Sequence, residues 1–142
     1  MQDIPRKQDI PKNVPIRPGE KVIWFSPGMY DIGTIAPLWR MGHLYLTNER
    51  LFFERQGRIQ FAALLADIVD VELVMRKWIL QHIRQLRIRY RTGKRLAYVA
   101  VGSPVGWEKI IKDRIILSLM EKSLRPEGLR ARANIKNQND KQ

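Results

Sequence analysis

The run Gly42-His43-Leu44-Tyr45-Leu46-Thr47-Asn48-Glu49-Arg50-Leu51-Phe52-Phe53-Glu54-Arg55 leaves this chain few ways to fold. Leu44 and Leu46 alternate with His43, Tyr45 and Thr47, the period of a strand with one buried face. Asn48-Glu49 interrupts the alternation, and Leu51, Phe52 and Phe53 resume it before the charged pair Glu54-Arg55. Asparagine tolerates left-handed backbone, so the interruption predicts a tight turn and the run predicts an antiparallel hairpin. A lone hairpin is marginal in water, so it needs further strands or a helix to cover its apolar side.

The rest of the chain supplies them. Residues 21–26 read as a first strand, opened by Pro18-Gly19 and closed by Ser26-Pro27-Gly28. Residues 28–41 read as a loop unusually rich in apolar side chains: Met29, Tyr30, Ile32, Ile35, Leu38, Trp39 and Met41, with Arg40 beside the tryptophan. After the hairpin, Gln56-Gly57 predicts a turn into a strand over 58–62. Apolar and acidic residues alternate over 67–74, giving a fifth strand. Leu86, Ile88 and Tyr90 alternate with Arg87, Arg89 and Arg91, giving a sixth with three guanidinium groups on one face. Arg91-Thr92-Gly93-Lys94 is a turn, and 96–101 is a seventh strand. Ser103-Pro104 then announces a helix, serine as its cap and proline in its first turn. Trp107, Ile110, Ile111, Ile115, Ile116, Leu119 and Met120 form a broad apolar stripe as far as Leu124, ended by Pro126 and Gly128. The sheet is the partner available to bury it. The expected class is mainly β with α: seven antiparallel strands and one amphipathic carboxy-terminal helix.

With 142 residues the chain makes one domain with tails and can bury a core unaided. Residues 1–18 repeat Gln-Asp-Ile-Pro twice and add Pro15 and Pro18, which predicts an extended arm or linker. The domain proper is expected over 19–124, and 125–142 reads as a disordered basic tail. No cysteine is present, which excludes disulfides and thiol chemistry and suits a reducing compartment. No segment has the eighteen or so apolar residues of a membrane span, and Met1-Gln2-Asp3-Ile4-Pro5-Arg6 has no apolar core of a secretory signal. A soluble, cytoplasmic protein is expected, with room for peripheral attachment at a membrane surface. The net charge of +12 attracts polyanions, and seven of those charges lie outside both tails.

From Leu73 to Trp107 there is no acidic residue, while the same window holds Arg76, Lys77, Arg84, Arg87, Arg89, Arg91, Lys94 and Arg95. A solvated strand face explains three alternating arginines. Lys94 and Arg95 at the adjoining turn weigh equally for an anion site. Trp39, Tyr30 and Met29 either tuck into the core or enter a headgroup region beside Arg40. Arg76-Lys77-Trp78-Ile79-Leu80 offers another apolar tip flanked by cations. A basic side chain near an anionic leaflet contributes about 1 kcal/mol, and a buried apolar tip about 1.5–3 kcal/mol, so membrane attachment needs both. Catalysis is not expected. His43 and His82 are the only histidines and lack ligand-spaced partners, the Asp67, Asp70 and Glu72 carboxylates line one strand face, and no phosphate loop, nucleophile elbow or metal motif occurs. No cofactor is implied.

Seven strands followed by one helix is the order of a pleckstrin-homology-like barrel. Gly19-Glu20-Lys21-Val22-Ile23, the run Gly42 to Phe53, and Asp67-Ile68-Val69-Asp70-Val71-Glu72 together resemble the GRAM family of that fold, the Leu-Thr-Asn-x-Arg-Leu-x-Phe segment most specifically. The resemblance covers about residues 19–122. It implies a helix that plugs one end of the barrel and loops at the other end, here 28–41, 56–57 and 91–95, that meet anionic lipid headgroups or proteins. Thr47, Asn48, Arg50 and Phe53 match the family's pattern and mark the fold. The expected function is a non-catalytic module attaching to anionic membrane lipid, with Arg87, Arg89, Arg91, Lys94, Arg95 and Arg40 on phosphate and Trp39, Tyr30 and Trp78 as anchors. The alternative is a protein-interaction adaptor that ignores lipid. Nucleic acid ranks lowest, because the tryptophans that could stack on bases lie in loops and not on the arginine face.

Overall fold

The computed structural model describes residues 14–33, 35–78 and 80–124, Trp78 and Lys122 by backbone alone. Seven strands run in chain order: β1 (Val22–Asp31), β2 (Trp39–Thr47), β3 (Arg50–Arg55), β4 (Arg58–Leu64), β5 (Ile68–Trp78), β6 (Gln81–Tyr90) and β7 (Leu96–Val101). A short 3-10 turn over Leu65–Asp67 joins β4 to β5, and one helix, α1 (Pro104–Leu124), closes the chain. The strands form a single antiparallel sheet in the order β4-β3-β2-β1-β7-β6-β5, so the long β1 bridges its two halves and β4 and β5 are its edges.

The central hairpin is β2–β3, with Leu44 opposite Phe53 and Leu46 opposite Leu51. Its turn is built differently from the expected left-handed asparagine. Asn48 is not among the positive-φ residues. Instead the Thr47 hydroxyl accepts the amides of Glu49 and Arg50, each at 3.1 Å, and the Asn48 side-chain Oδ1 accepts the Lys21 amide at 2.7 Å. The β3–β4 turn is as expected: Gln56 and Gly57 both take left-handed backbone, φ 54° and 79°. At Gly42 a side chain is excluded by close packing, since a Cβ would lie 2.3 Å from the Glu54 carbonyl oxygen and 2.6 Å from the Phe53 ring.

The segment expected as a loop over 28–41 is mostly strand. β1 runs on to Asp31 and β2 begins at Trp39, with Met29 opposite Met41 and Tyr30 opposite Arg40. Only 32–38 remains as the connection. Apolar alternation therefore served the sheet there, and β5 and β6 are longer than expected for the same reason.

Leu44, Leu46, Leu51, Phe53, Phe61, Leu86, Ile88 and Val99 fill the interior, and Trp107 and Ile111 of α1 seal it. The Trp107 indole donates to the Ser26 hydroxyl at 3.0 Å, tying the helix start to β1. Ser103 precedes the helix in left-handed backbone, φ 54°, and its carbonyl rather than its hydroxyl receives the Trp107 amide. The arm is tied down where it is described. Glu20 and Arg50 form a buried ion pair at 2.8 Å, Thr47 donates to Glu20 at 2.7 Å, and Arg50 Nη2 donates to the Pro15 carbonyl at 2.6 Å. Residues 1–13 of the arm expected over 1–18, and the tail expected over 125–142, lie outside the described residues.

Candidate functional site

β1 runs antiparallel to both β2 and β7, with Tyr30 opposite Val99. That register brings the 32–38 connection beside the β6–β7 turn. Between them lies a cleft of about 290 Å³, bounded by Asp31, Gly33 and Ile35 to Pro37 on one side and by Arg76, Lys94, Leu96 and Tyr98 on the other.

Asp31 organises the connection. Its Oδ1 accepts the amides of Gly33 and Leu38, both at 2.9 Å, and the Ile32 amide donates to the Leu38 carbonyl at 2.8 Å. The loop is thus held by its own backbone and presents Ile35 and Leu38 outward, Ile35 being fully exposed. The other Asp31 oxygen lies 3.1 Å from Arg76 Nη1. The Arg76 guanidinium also stacks 3.8 Å from the Tyr98 ring centroid and stands 5.8 Å from that of Trp39. Arg76 belongs to the 76–80 segment, read above as another apolar tip flanked by cations. The structure brings it into the same cleft as Lys94.

The strand arginines come out differently. β6 pairs with β5 so that Arg87 faces Glu72 and Arg89 faces Asp70. Arg87 donates to Glu72, and Arg89 donates to Asp70 from both Nε and Nη2 and lies 3.8 Å from Glu72. The hydrogen bond from Arg89 holds the Asp70 carboxyl below its ordinary range, and the same bond raises Arg89. These two arginines face carboxylates of their own sheet, which makes them a self-neutralised surface ladder.

Arg91, Lys94 and Arg95 are exposed, and no carboxylate among the described residues pairs with them. Their turn is closed by Tyr90 N donating to Arg95 O at 3.0 Å and Arg91 N donating to Asp67 O at 2.9 Å, with Gly93 and Arg95 in left-handed backbone. Arg40 sits apart from the cleft, half-buried, its guanidinium 3.5 Å from the Trp39 carbonyl oxygen.

Of the expected anchors, Tyr30 is a core residue. It is 2% exposed, packed against Phe53 and Phe61, and burial pushes its phenol up to about 12. Its ring belongs to the core of the barrel, and Tyr30 also lines the inner end of the cleft. Trp39 is half-buried beside Arg76. The Trp78 side chain lies outside the described residues. Asp31 and Tyr98 were the contributors the sequence left unmarked. Tyr98 shares the outward parity of Leu96, which was the available signal. Among the described residues no group of three or more His, Asp or Glu side chains gathers as a metal site, and no helix is long and apolar enough to cross a membrane.

No family model and no curated protein sequence matches the chain. Solved structures do. The N-terminal pleckstrin-homology domain of Vps36 superposes with a TM-score of 0.51 at 18% identity, covering 74% of this chain and 86% of that one. The C-terminal domain of an unknown protein from Leishmania infantum gives 0.52 at 12% identity, covering 70% and 87%. The fold is pleckstrin-homology-like. Seven antiparallel strands in a curled sheet with one carboxy-terminal helix are shared with that fold, and the narrower GRAM resemblance rests on its sequence words alone.

Proposed function

We propose that this pleckstrin-homology-like domain is a non-catalytic module that attaches to anionic membrane lipid through the cleft between the 32–38 connection and the β6–β7 turn. One observation carries this reading: Lys94 lines one side of a cleft whose other side presents the exposed apolar Ile35, and Lys94 shares its turn with Arg91 and Arg95, which no described carboxylate pairs. Phosphate oxygens meet Lys94 and its neighbours, Arg76 lines the floor already held by Asp31, and the loop tip enters the headgroup layer. Three cations contribute about 3 kcal/mol at an anionic surface and one or two inserted side chains about 1.5–3 kcal/mol each. Together these reach the micromolar range, which neither supplies alone.

Cosedimentation with phosphatidylcholine vesicles of increasing phosphatidylserine or phosphoinositide content tests it. Binding should rise with anionic content and fall with salt. A folded protein that stays in the supernatant at low salt with every vesicle would overturn the lipid reading and leave the adaptor.

A further inference from the structure

Helix α1 does more than close the barrel. Trp107 and Ile111 are fully buried, whereas Ile116, Leu117, Leu119, Met120 and Leu124 are each between 45% and 75% exposed. At about 100° per residue these five cover an arc of roughly 160°, centred opposite Trp107 and Ile111. The outward side of the distal helix is thus mostly apolar over almost half its circumference, with Ser123 inside the arc and Glu121 beside it, 3.9 Å from Arg114. Exposed Lys109 and Lys112 precede it on the same side with Asp113, Lys112 lying 3.7 Å from Glu108. The sequence that continues from its end, residues 125–142, carries five basic and two acidic side chains.

We infer that the distal half of α1 is a second membrane contact, lying in the interface of an anionic bilayer with Ile116, Leu117, Met120 and Leu124 toward the acyl chains. Width and charge both select this occupant. A partner helix takes a narrow seam of alternating three and four spacing, while a wide apolar arc bordered by lysines suits the boundary between headgroups and hydrocarbon. A second copy is opposed by charge, since each chain carries +12 and each helix leads into a basic tail. An anionic leaflet is attracted by that same excess. The inference rests on the membrane reading above for the kind of surface and is independent of the cleft for its residues.

The chain has no cysteine, so single labelling sites are clean. The environment-sensitive fluorophore NBD is placed on Met120→Cys or, separately, on Ile35→Cys, both exposed positions, and the full chain is mixed with phosphatidylcholine vesicles with and without phosphatidylserine. The label at 120 should brighten and shift to the blue with phosphatidylserine and stay unchanged with phosphatidylcholine alone. In unlabelled protein, Leu117→Asp with Met120→Asp should lower partition about tenfold without altering the near-ultraviolet circular dichroism. A silent label at 120 beside a responding label at 35 overturns this inference and leaves the cleft reading standing. Silence at both sites without cosedimentation overturns both. A blue shift at 120 that grows with protein concentration in the absence of vesicles assigns the face to a second copy and also overturns it, as does unchanged partition of the double aspartate variant.

Discussion

Strand β6 and the turn that follows it carry arginines of two kinds. Arg87 and Arg89 project from the strand, and each meets a carboxylate of β5, Glu72 or Asp70. Arg91 and Arg95 flank the turn a few residues later, with Lys94 between them, and meet none among the described residues. The residue type is the same. What differs is the neighbour: a strand is flanked by another strand whose side chains stand at 4.5–5.5 Å or so, whereas a turn projects past the edge where no cross-strand partner exists. An arginine in a ladder is part of the surface. At the turn it is available to a ligand.

The contrast has a third, more extreme case, from which the largest effect is expected. Arg50 is buried with Glu20, and removing one partner of such a pair strands the other. Arg50→Met should lower stability by about 3–5 kcal/mol in denaturant unfolding. A loss under about 1 kcal/mol would show that the pair adds little. The same pair sets a pH dependence. Burial opposes ionisation of Glu20, but hydrogen bonds from Arg50, the Arg17 amide and Thr47 outweigh it, and its carboxyl falls below the ordinary 4.5. A lowered carboxyl stabilises the fold fully above its unfolded value and loses that contribution as pH falls through the folded one. Stability should therefore be flat from neutral pH down to about 5 and decline steadily below 4.5, and Glu20→Gln should flatten that decline.

A middle effect is expected at Arg76, partly buried between Asp31 and the Tyr98 ring. Arg76→Ala should cost about 1–2 kcal/mol, because Asp31 keeps its two backbone donors and only the ring contact and one ion pair are lost. Thermal melts of Arg76→Ala and Arg76→Lys separate the two contributions, the lysine retaining charge but not the planar stack. The smallest effect belongs to the ladder. Arg89 is half exposed, and Arg89→Gln should leave the melting temperature within experimental scatter of the parent. A drop as large as that of Arg76→Ala would mean the ladder is structural.

Much of the architecture was legible because alternation reports burial directly. The hairpin, the Gln56-Gly57 turn and the 96–101 strand carry signals that only one backbone satisfies, whereas the helix stripe packs on the sheet through Trp107, Ile110, Ile111 and Ile115 and leaves Ile116, Leu119 and Met120 exposed. The 28–41 segment reads as a loop because Ser26-Pro27-Gly28 looks like loop punctuation, yet Pro27 and Gly28 sit inside β1. A Cβ at Gly28 would lie 2.8 Å from the Ala100 carbonyl oxygen, so this glycine lets β7 pack closely against β1 and does not open a loop. The site was legible only in part. Asp70 and Glu72 were recognised as outward-facing, and so were Arg87 and Arg89, but their pairing depends on the β5–β6 register, which no single strand reveals. Counting acids only from Leu73 onward overlooked carboxylates lying just before it in sequence. Arg76 on β5 meets Asp31 on β1 at 3.1 Å although the two strands stand three places apart in the sheet, a long-range contact that spacing along the chain does not encode.

The most direct test sets the two kinds of cation side by side in one vesicle assay. Lys94→Glu should weaken binding to phosphatidylserine-containing vesicles by about 2 kcal/mol, roughly 30-fold, since one attraction is lost and one repulsion gained. Arg87→Gln, which leaves a part-exposed Glu72 behind, should change binding by about twofold or less. Equal losses for the two variants, or a greater loss for Arg87→Gln, would contradict the assignment of the turn as the anion-binding rim.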